Sequence, residues 1–271
     1  MKASAELLHR WWLASYTLAE REVVRFLRER HRVFGALLQP VIFWAVFGLG
    51  LNASFTPKTG PRAISYAEYF FPGTVILVLL FTAIFATISI IEDRNAGFLQ
   101  GVLVAPVPRM AIVAGKVAGT TALAVIQALA VMFFAPAVGI YPDAAVWVQA
   151  AGVLTIVALG LGAVGFAIAW GTDSTQGFHA IMTAVLMPMW ILSGAFFPLA
   201  DLPGWIVWLP CINPLTYGLA ALRRLLYATQ PEAVAGLPSM AVCLTVVLAF
   251  DAAALAFAGW LAGRRERAKK R

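Results

Sequence analysis

Three glycines with the spacing of a nucleotide-binding fingerprint lie inside an apolar segment. Gly160, Gly162 and Gly165 form the pattern G-x-G-x-x-G. Dinucleotide binding by this pattern requires a preceding strand and an exposed turn, so that the N-terminus of a helix faces the pyrophosphate. An uninterrupted apolar run offers neither of these features. We therefore favour close packing between helices at these glycines, and the pair Gly115 and Gly119 favours the same interpretation.

ATP hydrolysis would require a phosphate-binding loop of the type G-x-x-x-x-G-K-[ST]. The nearest approach in the chain is Gly115-Lys116, but Val117 follows it and the earlier glycine is missing. The three histidines lie far apart in the sequence and lack the spacing of a metal-binding pair. We expect no catalytic residue, no metal and no cofactor bound by this chain.

Polar residues inside apolar segments are the remaining candidates for chemistry. Asp251 falls near the middle of such a segment, where an ionised carboxylate costs roughly 2.5 kcal/mol or more. Gln127 lies at a similar depth in another segment and is a candidate hydrogen-bond donor. Two interpretations stay open: a polar tie between helices, or a contact to a transported solute or proton. Lys116 is nearer to the end of its segment and is expected to extend to the lipid headgroups.

The elements that must position these residues are long and apolar. Of the 271 residues, 61% are hydrophobic and 12% are charged, with a mean hydropathy of +0.84. Soluble domains are about 45–50% apolar and about 25% charged, and a helix of about 20 apolar residues crosses a membrane. We predict an all-α membrane protein with six transmembrane helices. The predicted spans are 33–51, 69–91, 110–138, 144–170, 178–200 and 239–263.

The positive charges predict the orientation of these spans. Seven Lys and Arg residues lie in 1–32, two in 92–109 and six in 264–271, whereas the gaps on the opposite side hold four. The bias of positive charge toward the cytoplasm predicts a multi-pass protein of the cell (inner or plasma) membrane with both termini in the cytoplasm. Topology and contact with membrane lipid account for the net charge of +7, so we expect no nucleic-acid partner.

The segment before the first span has the pattern of an amphipathic helix at the cytoplasmic interface. Its apolar positions are Trp12, Tyr16, Ala19, Val23, Phe26 and Leu27. The simpler interpretation is an anchor on the lipid surface, and the sharper one adds a polar face that helps to receive a partner protein. We predict a single transmembrane permease domain over 1–271, with a cytoplasmic amphipathic segment (1–32), a six-span bundle (33–263) and a basic cytoplasmic tail (264–271).

The gap between spans two and three predicts a short cytoplasmic helix bounded by charges and prolines. Such a helix suits docking into a groove of a partner, although an interfacial connector is the alternative. Its candidate residues are Glu92, Asp93, Arg94, Gly97, Leu99, Leu103, Pro106 and Arg109.

The gap between spans five and six, 201–238, is rich in Pro and Trp. This composition predicts short re-entrant helices that dip back into the outer leaflet, where they can shape an exit or lateral gate. The residues of this candidate outer gate are Pro198, Asn213, Pro214, Tyr217 and Arg223.

Together these segments resemble the membrane subunit, or permease, of type-2 ABC exporters, a family with drug-resistance, nodulation-factor and polysaccharide exporters. The run Leu-Val-Ala-Pro-Val-Pro at 103–108 and the run Asn-Pro-Leu-Thr-Tyr at 213–217 carry most of the resemblance. One departure is visible, because many relatives have Thr-Leu-Glu where this chain has Phe-Leu-Gln at 98–100.

The resemblance implies a homodimer that works with two copies of a separate ABC ATP-binding subunit, which would use ATP and Mg²⁺. It implies that residues 92–109 couple the permease to this ATPase and that spans one, two and five line the solute path. The solute would be hydrophobic or amphipathic: drug-like, lipid-linked or a glycan. The alternative from the residues alone is a secondary transporter that uses Asp251 for proton or ion coupling.

Overall fold

The computed structural model describes residues 2–51, 65–105, 107–199 and 202–269. This part of the chain is helical and contains no β-strand. The helices are α1 (Lys2–Arg28), α2 (Arg30–Gly50), α3 (Tyr66–Phe85), α4 (Ser89–Asn95), α5 (Phe98–Val104), α6 (Arg109–Met132), α7 (Ala144–Gly171), α8 (Thr175–Trp190), α9 (Trp208–Ile212), α10 (Pro214–Leu226) and α11 (Met240–Lys269). A 3₁₀ turn, Ala86–Ile88, joins α3 to α4 without a break.

Five helical segments of the described chain are long and apolar enough to cross a membrane. They are Tyr66–Asn95, Arg109–Met132, Ala144–Gly171, Thr175–Ala195 and Met240–Arg264. These segments coincide with the second to sixth predicted spans. The first predicted span lies within α2, where the apolar part described is the shorter stretch Pro40–Gly50. The all-helical fold of the described chain is therefore confirmed, with five candidate spans, whereas the count of six spans stays a prediction.

Helix α3 forms the centre of the bundle. It is apolar on all sides, and sixteen of its twenty residues are buried. A helix that is apolar on every side is typically buried among other helices. Accordingly, α3 packs against five helices: α2, α6, α7, α8 and α10. Helix α11 instead packs on one side, against α7, α10 and α6, and leaves most of its surface outside the bundle.

The glycines with the nucleotide-like spacing are packing positions, as predicted. A Cβ atom at Gly160 would collide with Asp251 on α11, and one at Gly162 would lie 2.9 Å from Thr120 Oγ1 on α6. At Gly165 the Cβ would lie 2.9 Å from Thr87 Oγ1. Helix α7 therefore approaches three neighbours through its glycines, which is the usual role of small residues in membrane bundles.

Helix α1 packs along the first half of α6. A Cβ atom at Gly115 would lie 2.6 Å from the carbonyl oxygen of Ser15, and one at Gly119 would lie 2.8 Å from Glu22 Cβ. The face of α1 buried there contains Ser15, Leu18, Glu22 and Phe26. The face expected to anchor in lipid is thus divided: Phe26 turns inward, whereas the aromatic side chains near the start of the helix stay exposed.

Helix α8 ends in a kink. It continues as a π-helical turn, Ile191–Ala195, in which Gly194 has a φ of +85° that only glycine adopts without strain. The two short helices α9 and α10 follow, so the predicted short helices between spans five and six are present. Whether they dip into the outer leaflet stays a prediction.

Candidate functional site

Six charged side chains meet where α1, α4 and α6 converge, and we call them the charge cluster. The cluster consists of Arg21, Glu22 and Arg25 from α1, Glu92 and Asp93 from α4, and Lys116 from α6. It contains three cations and three carboxylates, so its formal charge is zero.

Lys116 forms the centre of the charge cluster. Its Nζ donates to Glu22 Oε1 and to Asp93 Oδ2, both at 2.5 Å. All three side chains are at least 97% buried, and Ser89 Oγ donates to the second oxygen of Glu22 at 2.5 Å. The expectation that Lys116 extends to the headgroups is therefore wrong, because two carboxylates provide its partners inside the protein.

Arg21 and Arg25 of α1 close the cluster on its half-exposed side. Arg21 binds Asp93 with both terminal nitrogens, at 2.7 and 2.8 Å. Arg25 bridges Asp93, at 3.2 Å, and Glu92, at 2.5 Å. The hydrogen bond and charge of Asp93 raise the pKa of Arg21 above its ordinary value. Forked arginine pairs of this kind fix geometry as well as charge, so α1 is held to α4 in one orientation.

Arg94 joins α4 to the end of α7. Its guanidinium donates to the carbonyl oxygens of Trp170 and Thr172, each at 2.9 Å, and to Asp173 Oδ1 at 2.7 Å. The last carbonyls of a helix have no partner within the helix and carry partial negative charge, so a cation stabilises this end. The predicted coupling residues Glu92, Asp93 and Arg94 thus link α4 to three different helices.

The short helix α5 follows Gly97, whose φ of +78° lets the chain turn sharply out of α4. Leu99 is buried against the bundle and Leu103 is half-buried, whereas the side chain of Val104 is 87% exposed. The guanidinium of Arg21 lies 3.8 Å from the centre of the Phe98 ring. One charge-cluster arginine therefore contacts α5 directly. Arg109 begins α6, and Pro106 lies outside the described residues.

An aromatic cavity of about 480 Å³ lies between α2, α3 and α8. Phe43, Phe81 and Phe85 line it together with Phe26 of α1, and the polar residues of the lining are Thr82 and Thr183. Its lining contains no charged side chain among the described residues. The cavity can therefore receive an apolar or aromatic molecule that carries a few hydrogen-bonding groups.

The two intramembrane residues Gln127 and Asp251 contact different helices. Gln127 Oε1 accepts a hydrogen bond from Thr82 on α3 at 2.5 Å. Asp251 lies against Gly160 on α7, and neither of its carboxylate oxygens has a hydrogen-bond partner among the described residues. Thus no hydrogen bond joins Gln127 to Asp251 in the described chain, and Asp251 does not line the aromatic cavity.

The residues of the candidate outer gate come together at the other end of the bundle, around the kink of α8. Asn213 caps α10 by accepting from Leu215 N at 3.0 Å, and its Nδ2 donates to Met189 O at 2.7 Å. Arg223 Nη2 donates to Gly194 O at 3.0 Å. Tyr217 donates to Cys211 O at 2.8 Å, and Pro198 lines the same region. Pro214 is the first residue of α10.

Sequence reasoning found one half of the charge cluster and missed the other. Glu92 and Asp93 are charges at the end of a predicted span, whereas Arg21, Glu22 and Arg25 belong to the amphipathic helix predicted at the cytoplasmic interface and were not expected to meet them. A lysine inside an apolar segment normally has a partner. That rule, applied to Lys116, would have pointed to a carboxylate on a neighbouring element.

The chain is similar to known membrane transport proteins. The ABC-2 type transporter family matches residues 14–227. The chain is 26% identical over 227 residues to the inner membrane transport permease YadH of Escherichia coli strain K12, which covers 80% of this chain and 84% of YadH. It is 21% identical over 228 residues to the daunorubicin resistance ABC transporter permease protein DrrB1 of Streptomyces coeruleorubidus, which covers 83% of this chain and 76% of DrrB1.

Proposed function

The chain belongs to the ABC-2 type transporter family, and from this premise we propose that it is the membrane subunit of an ATP-driven exporter. It is a transport permease of the membrane, and permeases of this family work with ATP-binding subunits. The proposal adds a homodimer, two copies of the ATPase, both termini in the cytoplasm and transport outward from the cell.

The charge cluster carries this proposal. A force applied to α5 reaches α4 through the turn at Gly97, and α4 is tied to α1 and α6 by the charge cluster and to α7 by Arg94. These ties are charged, forked and largely buried, so the helices move together rather than slide. Closure of a partner ATPase would thus tilt several spans as one body, which is a common form of switching.

The surface that would receive the ATPase lies beside the charge cluster. An open groove of about 590 Å³ runs between α1 and α5, and its lining includes Leu13, Thr17, Phe98 and Val102. Val104 projects from α5 next to this groove with most of its surface exposed. Exposed apolar side chains on a short helix between two spans are suited to docking into a partner's groove.

The aromatic cavity is the proposed solute path. Spans one, two and five were expected to line it, and the cavity is bounded by α2, α3 and α8. A lining of phenylalanines and threonines without charge suits a hydrophobic or amphipathic solute. The name of DrrB1 ties that relative to daunorubicin resistance, so a drug-like molecule is our first choice over a glycan. The residues around the α8 kink would form the outer gate of this path.

A second candidate function is proton- or ion-coupled transport. The observation that favours it is the buried carboxylate of Asp251, which has no hydrogen-bond partner among the described residues. Its position against Gly160, away from the lining of the aromatic cavity, favours the structural interpretation instead.

Inverted membrane vesicles containing the chain and its ATP-binding subunit would separate the two functions, with daunorubicin as the fluorescent probe. We expect uptake of the probe to require ATP, to survive collapse of the proton gradient and to be unchanged in Asp251→Asn. Uptake that follows the proton gradient without ATP, and that Asp251→Asn abolishes, would reverse the assignment.

A further inference from the structure

A second cavity, which we call the α10 pocket, lies at the end of the bundle opposite to the charge cluster. Its volume is about 310 Å³. One face of α10 lines it with Thr216, Leu219, Ala220 and Arg223, at intervals of three and four residues. Leu199 is among the apolar residues across the pocket. The pocket is thus mainly apolar but contains one permanently charged group.

Arg223 is a buried cation without an anion. Its exposed fraction is 7%, and no carboxylate of the described chain lies within ion-pair distance. Nη2 donates to the carbonyl oxygens of Gly194, at 3.0 Å, and Tyr69, at 3.3 Å, and the guanidinium lies 4.1 Å from the Tyr69 ring centre. Nε has no hydrogen-bond partner in the part of the chain that the structure describes. Since arginine cannot lose its proton, the guanidinium of Arg223 stays charged and lacks a negatively charged hydrogen-bond acceptor.

Thr216 lines the same pocket and has a second orphaned polar group. Its hydroxyl is buried and makes no hydrogen bond to any residue that the structure describes. Thr216 lies two turns before Arg223 on the same face of α10, about 10 Å away along the helix axis. A buried donor without a partner is costly, and two of them in one cavity indicate a ligand with oxygen atoms at both positions.

We propose that the α10 pocket binds a phosphate-bearing amphiphile, with the phosphate at Arg223, an ester or hydroxyl oxygen at Thr216 and acyl chains along the apolar wall. Phosphate matches the forked donors of arginine. A free phosphate ion offers the same chemistry to Arg223 but is too short to reach Thr216. The spacing therefore favours a phospholipid as the source of the phosphate. This inference concerns binding to the permease itself and does not depend on what the protein transports.

Lipid retention by the purified full chain in neutral detergent tests the proposal, measured by native mass spectrometry. The probes are dioleoylphosphatidylglycerol, dioleoylglycerol, which has the same chains without phosphate, and inorganic phosphate. The first variant is Arg223→Gln. Because Arg223 also holds the α8 kink, the second variant is Thr216→Val, which leaves every hydrogen bond of Arg223 in place. Arg264→Gln, an exposed arginine on α11, is the control for general attraction of anionic lipid.

We expect phosphatidylglycerol to bind the unmodified chain. Its affinity should fall about tenfold or more in Arg223→Gln and about fivefold in Thr216→Val, because a hydrogen bond to a charged group contributes more than a neutral one. Arg264→Gln should stay within about twofold of the unmodified chain. Failure of inorganic phosphate to compete would support a lipid as the ligand. Competition by inorganic phosphate, lost in Arg223→Gln, would support a free anion at the same site. Equal binding of dioleoylglycerol, or unchanged phosphatidylglycerol binding in Thr216→Val and in folded Arg223→Gln, would overturn the proposal.

Discussion

Lys116 shows at the scale of single residues how a membrane helix can carry a charge. The lysine lies within an apolar helix but has two carboxylate partners and is 99% buried. Replacing a whole buried ion pair by apolar groups is often neutral, whereas removing one partner leaves an isolated charge that costs about 3–5 kcal/mol. Substitutions that leave one charge of the cluster without its partner should therefore reduce the stability of the protein most.

We predict that Lys116→Met destabilises the protein by roughly 3 kcal/mol, because Glu22 and Asp93 then face each other without the central cation. The double variant Lys116→Met with Glu22→Gln should recover part of this loss, since it removes one carboxylate charge. Thermal unfolding in detergent measures both effects. An unchanged unfolding temperature in Lys116→Met would contradict the burial of this ion network.

A second prediction concerns Gly160, where the carboxylate of Asp251 occupies the space of a Cβ atom. Gly160→Ala should lower the unfolding temperature, with a loss of roughly 1–3 kcal/mol for overpacking. Gly152→Ala on the same helix is the matched control, because a Cβ at Gly152 would meet nothing within 4 Å. Equal behaviour of the two variants would show that α7 and α11 do not approach at Gly160.

At the level of single helices, one face of α5 packs against the bundle and the other is exposed and accessible to a partner protein. Leu99 and Leu103 hold the helix to the bundle, whereas Val104 leaves its side chain outside. A contact to a partner and a contact to the bundle can therefore be changed separately.

We predict that Val104→Asp weakens association with the ATP-binding subunit about tenfold while the permease keeps its unfolding temperature, because the change adds charge to an exposed docking face. Co-purification at graded ATPase concentrations measures the association. Tyr141→Asp, at an exposed position between α6 and α7 at the far end of the bundle, is the control. Loss of association in both variants would point to a general defect rather than a docking contact.

Element positions were predictable where composition decides them. Composition predicted six spans because a bilayer requires about 20 apolar residues, and five of them coincide with apolar helices of the described chain. The short helix α5 was expected from the charges and prolines on either side of it. The orientation of α1 was not predictable in the same way. Its polar and apolar faces do not reveal that Glu22 packs beside Gly119 rather than facing water.

At the scale of the whole molecule, the bundle has two polar ends joined by α3 and α4. Tyr69, near the start of α3, accepts from Arg223 through its carbonyl oxygen, and Asp93 lies in the charge cluster about 36 Å further along these helices. Distant contacts of this kind leave little trace in sequence spacing. The partners of Arg223 and Lys116 were missed for that reason, although both residues were noticed as charges.

We propose that a separate ATPase drives the permease through α5 and the charge cluster. Affinity purification of the tagged full chain, co-expressed with the ATP-binding subunits of its own genome, tests it most directly when the mass of the eluted complex is measured. We predict a complex of two permeases and two ATP-binding subunits that hydrolyses ATP and whose ATPase binds about tenfold more weakly in Val104→Asp. A permease that elutes without any ATP-binding subunit would contradict the claim.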